Sequence, residues 1–155
     1  MAIRNVVKLG DELLRKKSKQ VKNFDKNLWQ LLDDMRETMY QNDGMGLAAV
    51  QVGVQKRAII VETNGMFLEL MNPILIKSSG EDVEEEGCLS VGTRKGYVKR
   101  PMRVTVAAQD RFGYSFSVTG EKYLARVLCH EMDHLDGILF VDKIVNGYVS
   151  KEGDE

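Results

Sequence analysis

The sequence predicts an α+β fold: mostly antiparallel sheets around a central HExxH helix, with a helical part towards the N-terminus. Three observations carry that expectation. Two segments repeat apolar residues at helical spacing, one early and one late in the chain. Six runs between them are strand-like and are punctuated by Gly, Asn, Asp and Pro. The order helix, strands, helix lacks the regular alternation that a parallel sheet requires. With 155 residues, 43% of them hydrophobic, the chain suits one domain spanning 1–155 with a substantial core.

Taken in order, residues 24–42 (FDKNLWQLLDDMRETMYQN) place Leu28, Leu31, Leu32, Met35 and Met39 on one helical face. Asn23 or Asp25 can cap its start, and Gly44 can stop it. Strand-like runs follow at 57–62, 67–72, 74–78, 96–101, 103–110 and 114–120, and DRFG at 110–113 reads as a hairpin turn. Residues 121–136 form the second helix, with Leu124, Val127, Leu128, Glu131 and Leu135 within one broad face and Gly137 at the C′ position. A short apolar run at 138–144 comes next, and 145–155 reads as a flexible tail.

Twenty-two basic residues against 23 acidic ones leave a net charge of −1, so no global field draws the chain to nucleic acid. The basic run RKKSK at 15–19 sits among acids and reads as a solvated face. The first residues lack the apolar stretch of a signal peptide, and no run is long enough to span a bilayer; a cytoplasmic location is expected. Two cysteines, Cys88 and Cys129, do not make a disulfide framework.

Both histidines of the chain lie in CHEMDHLDG, 129–137. On a helix His130 and His134 are one turn apart and can reach one ion, with Glu131 close enough to touch a water on it. A core helix with satisfied histidines would look the same, so the context has to decide. Extending the pattern to HExxHxxGxxH finds Gly137 but Phe140 in place of a third histidine. Few acids follow Phe140, most of them in the expected tail, so the third ligand must come from upstream, from a carboxylate or a cysteine. Cys129 points about 100° away from His130 and suits a small buried hydrophobe. Cys88, in the turn EEEGCLS with Gly87 freeing the backbone, is the better candidate. With a water it would complete a tetrahedral S,N,N,O site, the open arrangement of catalytic centres. GMGLAAVQVG satisfies G-x-G-x-x-A through Gly44, Gly46 and Ala49, but a helix precedes it and a strand follows, the reverse of a dinucleotide site. Gln51 stands out there as a polar residue in an apolar run.

GMGLAAVQ (44–51), EGCLS (86–90) and HEMDH (130–134), in this order, resemble the three signature motifs of the peptide deformylases, and HLDGILF (134–140) matches their usual continuation. The similarity runs from about residue 1 to 144. It implies a hydrolase that removes the N-formyl group from the N-terminal methionine of new polypeptides and releases formate. Cys88, His130 and His134 would be the metal ligands, with a metal-bound water attacking the formyl carbonyl and Glu131 as general base and then acid. The resemblance further implies that Gln51 and the Leu89 N–H donate to the oxyanion, and that Gly46 lets the substrate backbone approach and pair as an added strand, with Met45 and Gly87 beside it. Val127, with Tyr123 beside it, is our candidate wall for the methionine side chain. The implied cofactor is Fe2+, one ion per chain, with Zn2+, Ni2+ or Co2+ as substitutes that suit the ligand types equally. Formyl-methionyl nascent peptides are the implied partners and the ribosome a further one; neither a membrane nor nucleic acid is expected. The chain departs from its relatives at Gly92, where many have a proline, so a more mobile loop over the site is expected. Arg94 and Lys95 are left without a role.

Overall fold

The computed structural model describes residues 2–151. In chain order its helices and strands are α1 (Lys26–Gln41), β1 (Gly46–Ala48), β2 (Ala58–Thr63), β3 (Met66–Ser79), β4 (Asp82–Glu86), β5 (Arg94–Arg100), β6 (Arg103–Gln109), β7 (Ser115–Glu121), α2 (Tyr123–His134) and β8 (Ile144–Lys151). Single 3-10 turns lie at Glu12–Arg15, Ala49–Val52 and Phe140–Lys143. The strands form an antiparallel five-stranded sheet, β1-β2-β3-β6-β7, and an antiparallel three-stranded sheet, β4-β5-β8. The α+β class with antiparallel sheets is therefore as expected. Among the described residues, no helix is long and apolar enough to cross a membrane.

The larger sheet is covered on both faces, which explains why β2 is a nearly continuous apolar run rather than an alternating one. Ala58 and Ile60 join the leucines and methionines of α1, while Ile59 and Val61 join Val127, Leu128 and Leu135 on the α2 side. Leu28, Leu32, Met35 and Met39 are fully buried, each contributing about 1.5–3 kcal/mol of transfer free energy. A third, smaller cluster of Val91, Val98 and Phe140 lies on the three-stranded sheet, with Cys88 packed against it.

Where structure and sequence reading differ, hydrogen bonding accounts for most of the difference. Asp25, not Asn23, caps α1, its carboxylate accepting the Leu28 N–H at 3.2 Å. The runs at 67–72 and 74–78 are one strand, β3, with a register shift between Met71 and Ile74. Asn72 there has φ +52°, and its side chain replaces the ladder by bonding both the N–H and the C=O of Val21. The second helix begins at Tyr123 rather than 121, because β7 runs to Glu121 and Lys122, at φ +55°, makes the turn. Strand β4 was not expected, since four of its five residues are acids, a composition that disfavours strands. Residues 144–151, read mostly as tail, pair as β8 with β5, and 152–155 lie outside the described residues.

The turn that closes α2 depends on Gly137. Its φ is +74°, and a Cβ there would lie 2.3 Å from the Arg15 carbonyl oxygen. Gly137→Ala is therefore expected to destabilise the fold by more than about 1 kcal/mol, read as the shift of the urea midpoint. An unchanged midpoint would show that the turn tolerates a side chain.

Candidate metal centre and cleft

The last two turns of α2 present His130, Glu131 and His134, and Cys88 follows β4 by two residues. One ligand atom from each of Cys88, His130 and His134 lies within 4.8 Å of the other two. Cys88 Sγ is 3.4 Å from His134 Nε2. A tetrahedral ion with one sulfur and one imidazole ligand would separate those atoms by about 3.5 Å. His130 Nδ1 is 2.9 Å from Glu86 Oε1, which leaves Nε2 as its ligand atom and fixes the ring as the outer carboxylate of a metal-binding histidine does. The donor set therefore fits one divalent ion. Glu131 Oε1, between the two histidines in sequence, is buried with no hydrogen-bond partner in the structure. Cys129 is elsewhere. It packs on the apolar cluster of α2, and burial pushes its thiol pKa up.

The triad lies at the inner end of a cleft of about 510 Å³. Every site residue expected from the sequence lines this cleft except His134, which is fully buried. Lys95 lines it too. Gly46, on the edge strand β1, lies directly against Glu131: a Cβ there would meet Glu131 Oε2 at 2.7 Å and Val127 Cγ1 at 2.9 Å. Met45 sits at the mouth, where the Tyr123 hydroxyl donates to its sulfur at 2.8 Å.

Gln51 is buried in the 3-10 turn after β1, and its amide has one orientation. Oε1 accepts the Ala48 N–H at 3.0 Å, so Nε2 is directed at Ser90 Oγ (3.1 Å) and Cys88 Sγ (3.6 Å). The N-terminal segment braces this arrangement from behind. The Val7 N–H donates to the Gln51 carbonyl and the Leu9 N–H to the Ser90 carbonyl, each at 2.7 Å.

Electrostatics divide the acidic groups. Burial pushes the Glu131 carboxyl up to about 7, against the opposing pull of His130. Glu86 is also buried, yet it is held well below the usual carboxylate range, because the Arg100 and His130 hydrogen bonds outweigh desolvation. Burial lowers both imidazoles. Hydrogen bonds to Cys88 and Glu86 nevertheless raise the His130 pKa, and an ion at Nε2 would displace that proton, while His134 stays well below its ordinary value.

Glu86 belongs to a buried group that the sequence reading missed. Arg100 grips its carboxylate with two 2.9 Å bonds and reaches Asp133 at 2.6 Å; Arg126 donates to the same carboxylate at 2.5 Å. One signal was present in the sequence, since Arg126 lies four residues before His130 and so on the same side of the helix.

A thiol and two imidazoles that could hold one ion, with a carboxylate beside them and an open cleft above, are the arrangement that metal-dependent hydrolases use. The polypeptide deformylase family model matches residues 3–148, and the chain belongs to that family. It is 54% identical over 152 residues to the peptide deformylase of Caldicellulosiruptor bescii, covering 98% of this chain and 91% of the relative. With the peptide deformylase of Thermoanaerobacter pseudethanolicus it shares 47% over 155 residues, 100% of this chain and 98% of the other. The crystal structure of a Legionella pneumophila peptide deformylase superposes with a TM-score of 0.91 at 46% identity, covering 94% of this chain and 88% of that one. A Synechococcus elongatus peptide deformylase, solved in complex with actinonin, gives 0.89 at 39% identity, covering 92% and 79%. The family is metal-dependent and removes the formyl group from nascent peptides.

The contact of Gly46 with Glu131 has a direct consequence. Gly46→Ala must displace Glu131 or Val127 and is expected to lower kcat/KM on a formyl-methionyl peptide by about a hundredfold in a folded protein. Wild-type kinetics in this variant would show that the approach is not needed.

Proposed function

We propose that the chain deformylates nascent peptides with one Fe2+ held by Cys88, His130 and His134, and that Zn2+, Ni2+ or Co2+ can replace it. The observation that carries this reading is the 3.4 Å approach of Cys88 Sγ to His134 Nε2, across 46 residues of sequence, on the same helix side as His130. When bound, the ion supplies Lewis acidity and an acidified water. A thiolate and two neutral imidazoles would leave a divalent site at about +1, where three neutral imidazoles would leave +2, so the water would lean harder on a protein base.

Glu131 is that base. It takes the water's proton and later gives it to the departing amine; its support is a carboxyl raised to about 7, close to working pH. Gln51 Nε2 and the Leu89 N–H donate to the formyl oxygen as negative charge develops there. Supporting this role, the Gln51 side-chain Oε1 already accepts the Ala48 N–H, which leaves the amide hydrogens directed inward. Gly46 pairs with the peptide backbone as an added strand, with Met45 and Gly87 beside it, and Val127 walls the slot for the methionine side chain. A formyl hydrogen leaves room beside Gln51 that an acetyl methyl would fill.

The test is formate release from a formyl-methionyl tripeptide by anaerobically purified protein, with elemental analysis of the same sample. Stoichiometric formate, lost with a chelator and regained with Fe2+ or Ni2+, is expected. Glu131→Gln should keep its metal and lose turnover, and Cys88→Ser should lose the metal. Gln51→Ala should lower kcat by about a hundredfold with little change in KM. Appreciable turnover in metal-replete Glu131→Gln, or full metal retention in Cys88→Ser, would contradict the assigned roles.

A further inference from the structure

We infer that Arg126 is a positioning residue for the metal centre, a latch that holds the three-stranded sheet, and Cys88 with it, at ligand distance from the helix carrying both histidines. This rests on the metal-site reading given above.

Two of the ligands and the third belong to different parts of the fold. The histidines are on α2, whose apolar face packs on the larger sheet. Cys88 follows β4 and packs with Val91, Val98 and Phe140. Among the described residues, the apolar cluster that includes α2 contains no residue of β4 or β5, and the cluster around Cys88 contains none of α2. One ring contact, His130 on Phe140 with centroids 6.2 Å apart, is made between them. Beside Cys88, Leu89 packs on the α1 cluster and Ser90 accepts from the Gln51 amide, but neither contact is made to α2, and apolar packing is non-directional. Polar contacts with defined geometry fix the separation of Cys88 from α2.

Arg126 makes those contacts from a single guanidinium. Nη1 donates to Glu86 Oε2 at 2.5 Å and to the Val98 carbonyl at 2.9 Å, and Nη2 donates to the Asp82 carbonyl at 2.9 Å. These partners are the last residue of β4, the middle of β5 and the first residue of β4. The other oxygen of Glu86 faces His130 Nδ1, so Arg126 and His130, one turn apart on α2, share one carboxylate two residues before Cys88. Arg100 fastens the same carboxylate from β5 and reaches Asp133, three residues past His130. Arg126 is 4% exposed, and its fork has one geometry that satisfies three acceptors on two strands.

The latch predicts weakened metal uptake in a protein that still folds. Chelator-stripped protein is titrated with Co2+, and the visible spectrum reports the thiolate and imidazole ligands. Arg126→Met should bind Co2+ about ten- to a hundredfold more weakly, with an altered thiolate band, while its circular dichroism stays that of the wild type. Arg126→Lys keeps the charge beside Glu86 but cannot reach Val98 and Asp82 together. It is the variant read if the methionine variant does not fold, and it should bind Co2+ several-fold more weakly. Wild-type affinity and spectrum in either folded variant overturn the latch and leave the metal site standing. A wild-type protein that takes up no Co2+ through a thiolate overturns both. Arg103→Met, which removes an exposed pair with Glu121, serves as the control and should match the wild type.

Discussion

A thiol from the turn after one sheet meets two imidazoles on a helix that packs against the other sheet, and the rest of the molecule is constrained by that crossing. The three ligand atoms lie within 4.8 Å of one another although Cys88 and His134 are 46 residues apart. Converging three donors from separate segments is entropically costly, so something must hold the segments together. The large sheet and its apolar cluster position α2, while the small sheet positions Cys88. Buried charges link α2 to the small sheet, Glu86 and Asp133 against Arg100 and Arg126, while the Gln51 amide on Ser90 and Leu89 on the α1 cluster tie the Cys88 turn to the large sheet. A buried ion pair of this kind is weak evidence for stability, but it provides defined distances and angles. Those are what a metal site needs.

The same frame sets the cleft. Strand β1 is short and lies on the edge of the large sheet, so Gly46 faces α2 without a further strand between them. Gln51 follows within one turn, and the N-terminal segment bonds both its carbonyl and that of Ser90. Two buried atoms of the site, Glu131 Oε1 and His134 Nδ1, have no partner in the structure, while the Gln51 amide thus has its partners before any substrate arrives. An electrostatically preorganised site needs this condition, since donors that must reorganise lose much of their effect.

The readable part of the sequence was what local periodicity and motif spacing encode. The face of α1, the hairpin at 110–113 and the HExxH helix follow from residues within a few positions of one another. Cys88 could be singled out because an incomplete ligand set needed an upstream carboxylate or thiol and Cys129 points elsewhere on the helix. What escaped reading depends on partners far away in sequence. The acids of β4 disfavour a strand locally, and the strand forms because β5 pairs with it and two arginines neutralise Glu86. The Asn72 bulge depends on Val21, and β8 on the edge that β5 offers. Tertiary partners override local propensity at each of these places.

The most direct measurement is X-ray absorption at the metal edge of the anaerobically purified protein. One sulfur scatterer at about 2.3 Å together with two imidazole nitrogens near 2.0–2.1 Å is the predicted first shell. A shell of nitrogen and oxygen alone, with the protein folded and the metal stoichiometric, would contradict the account.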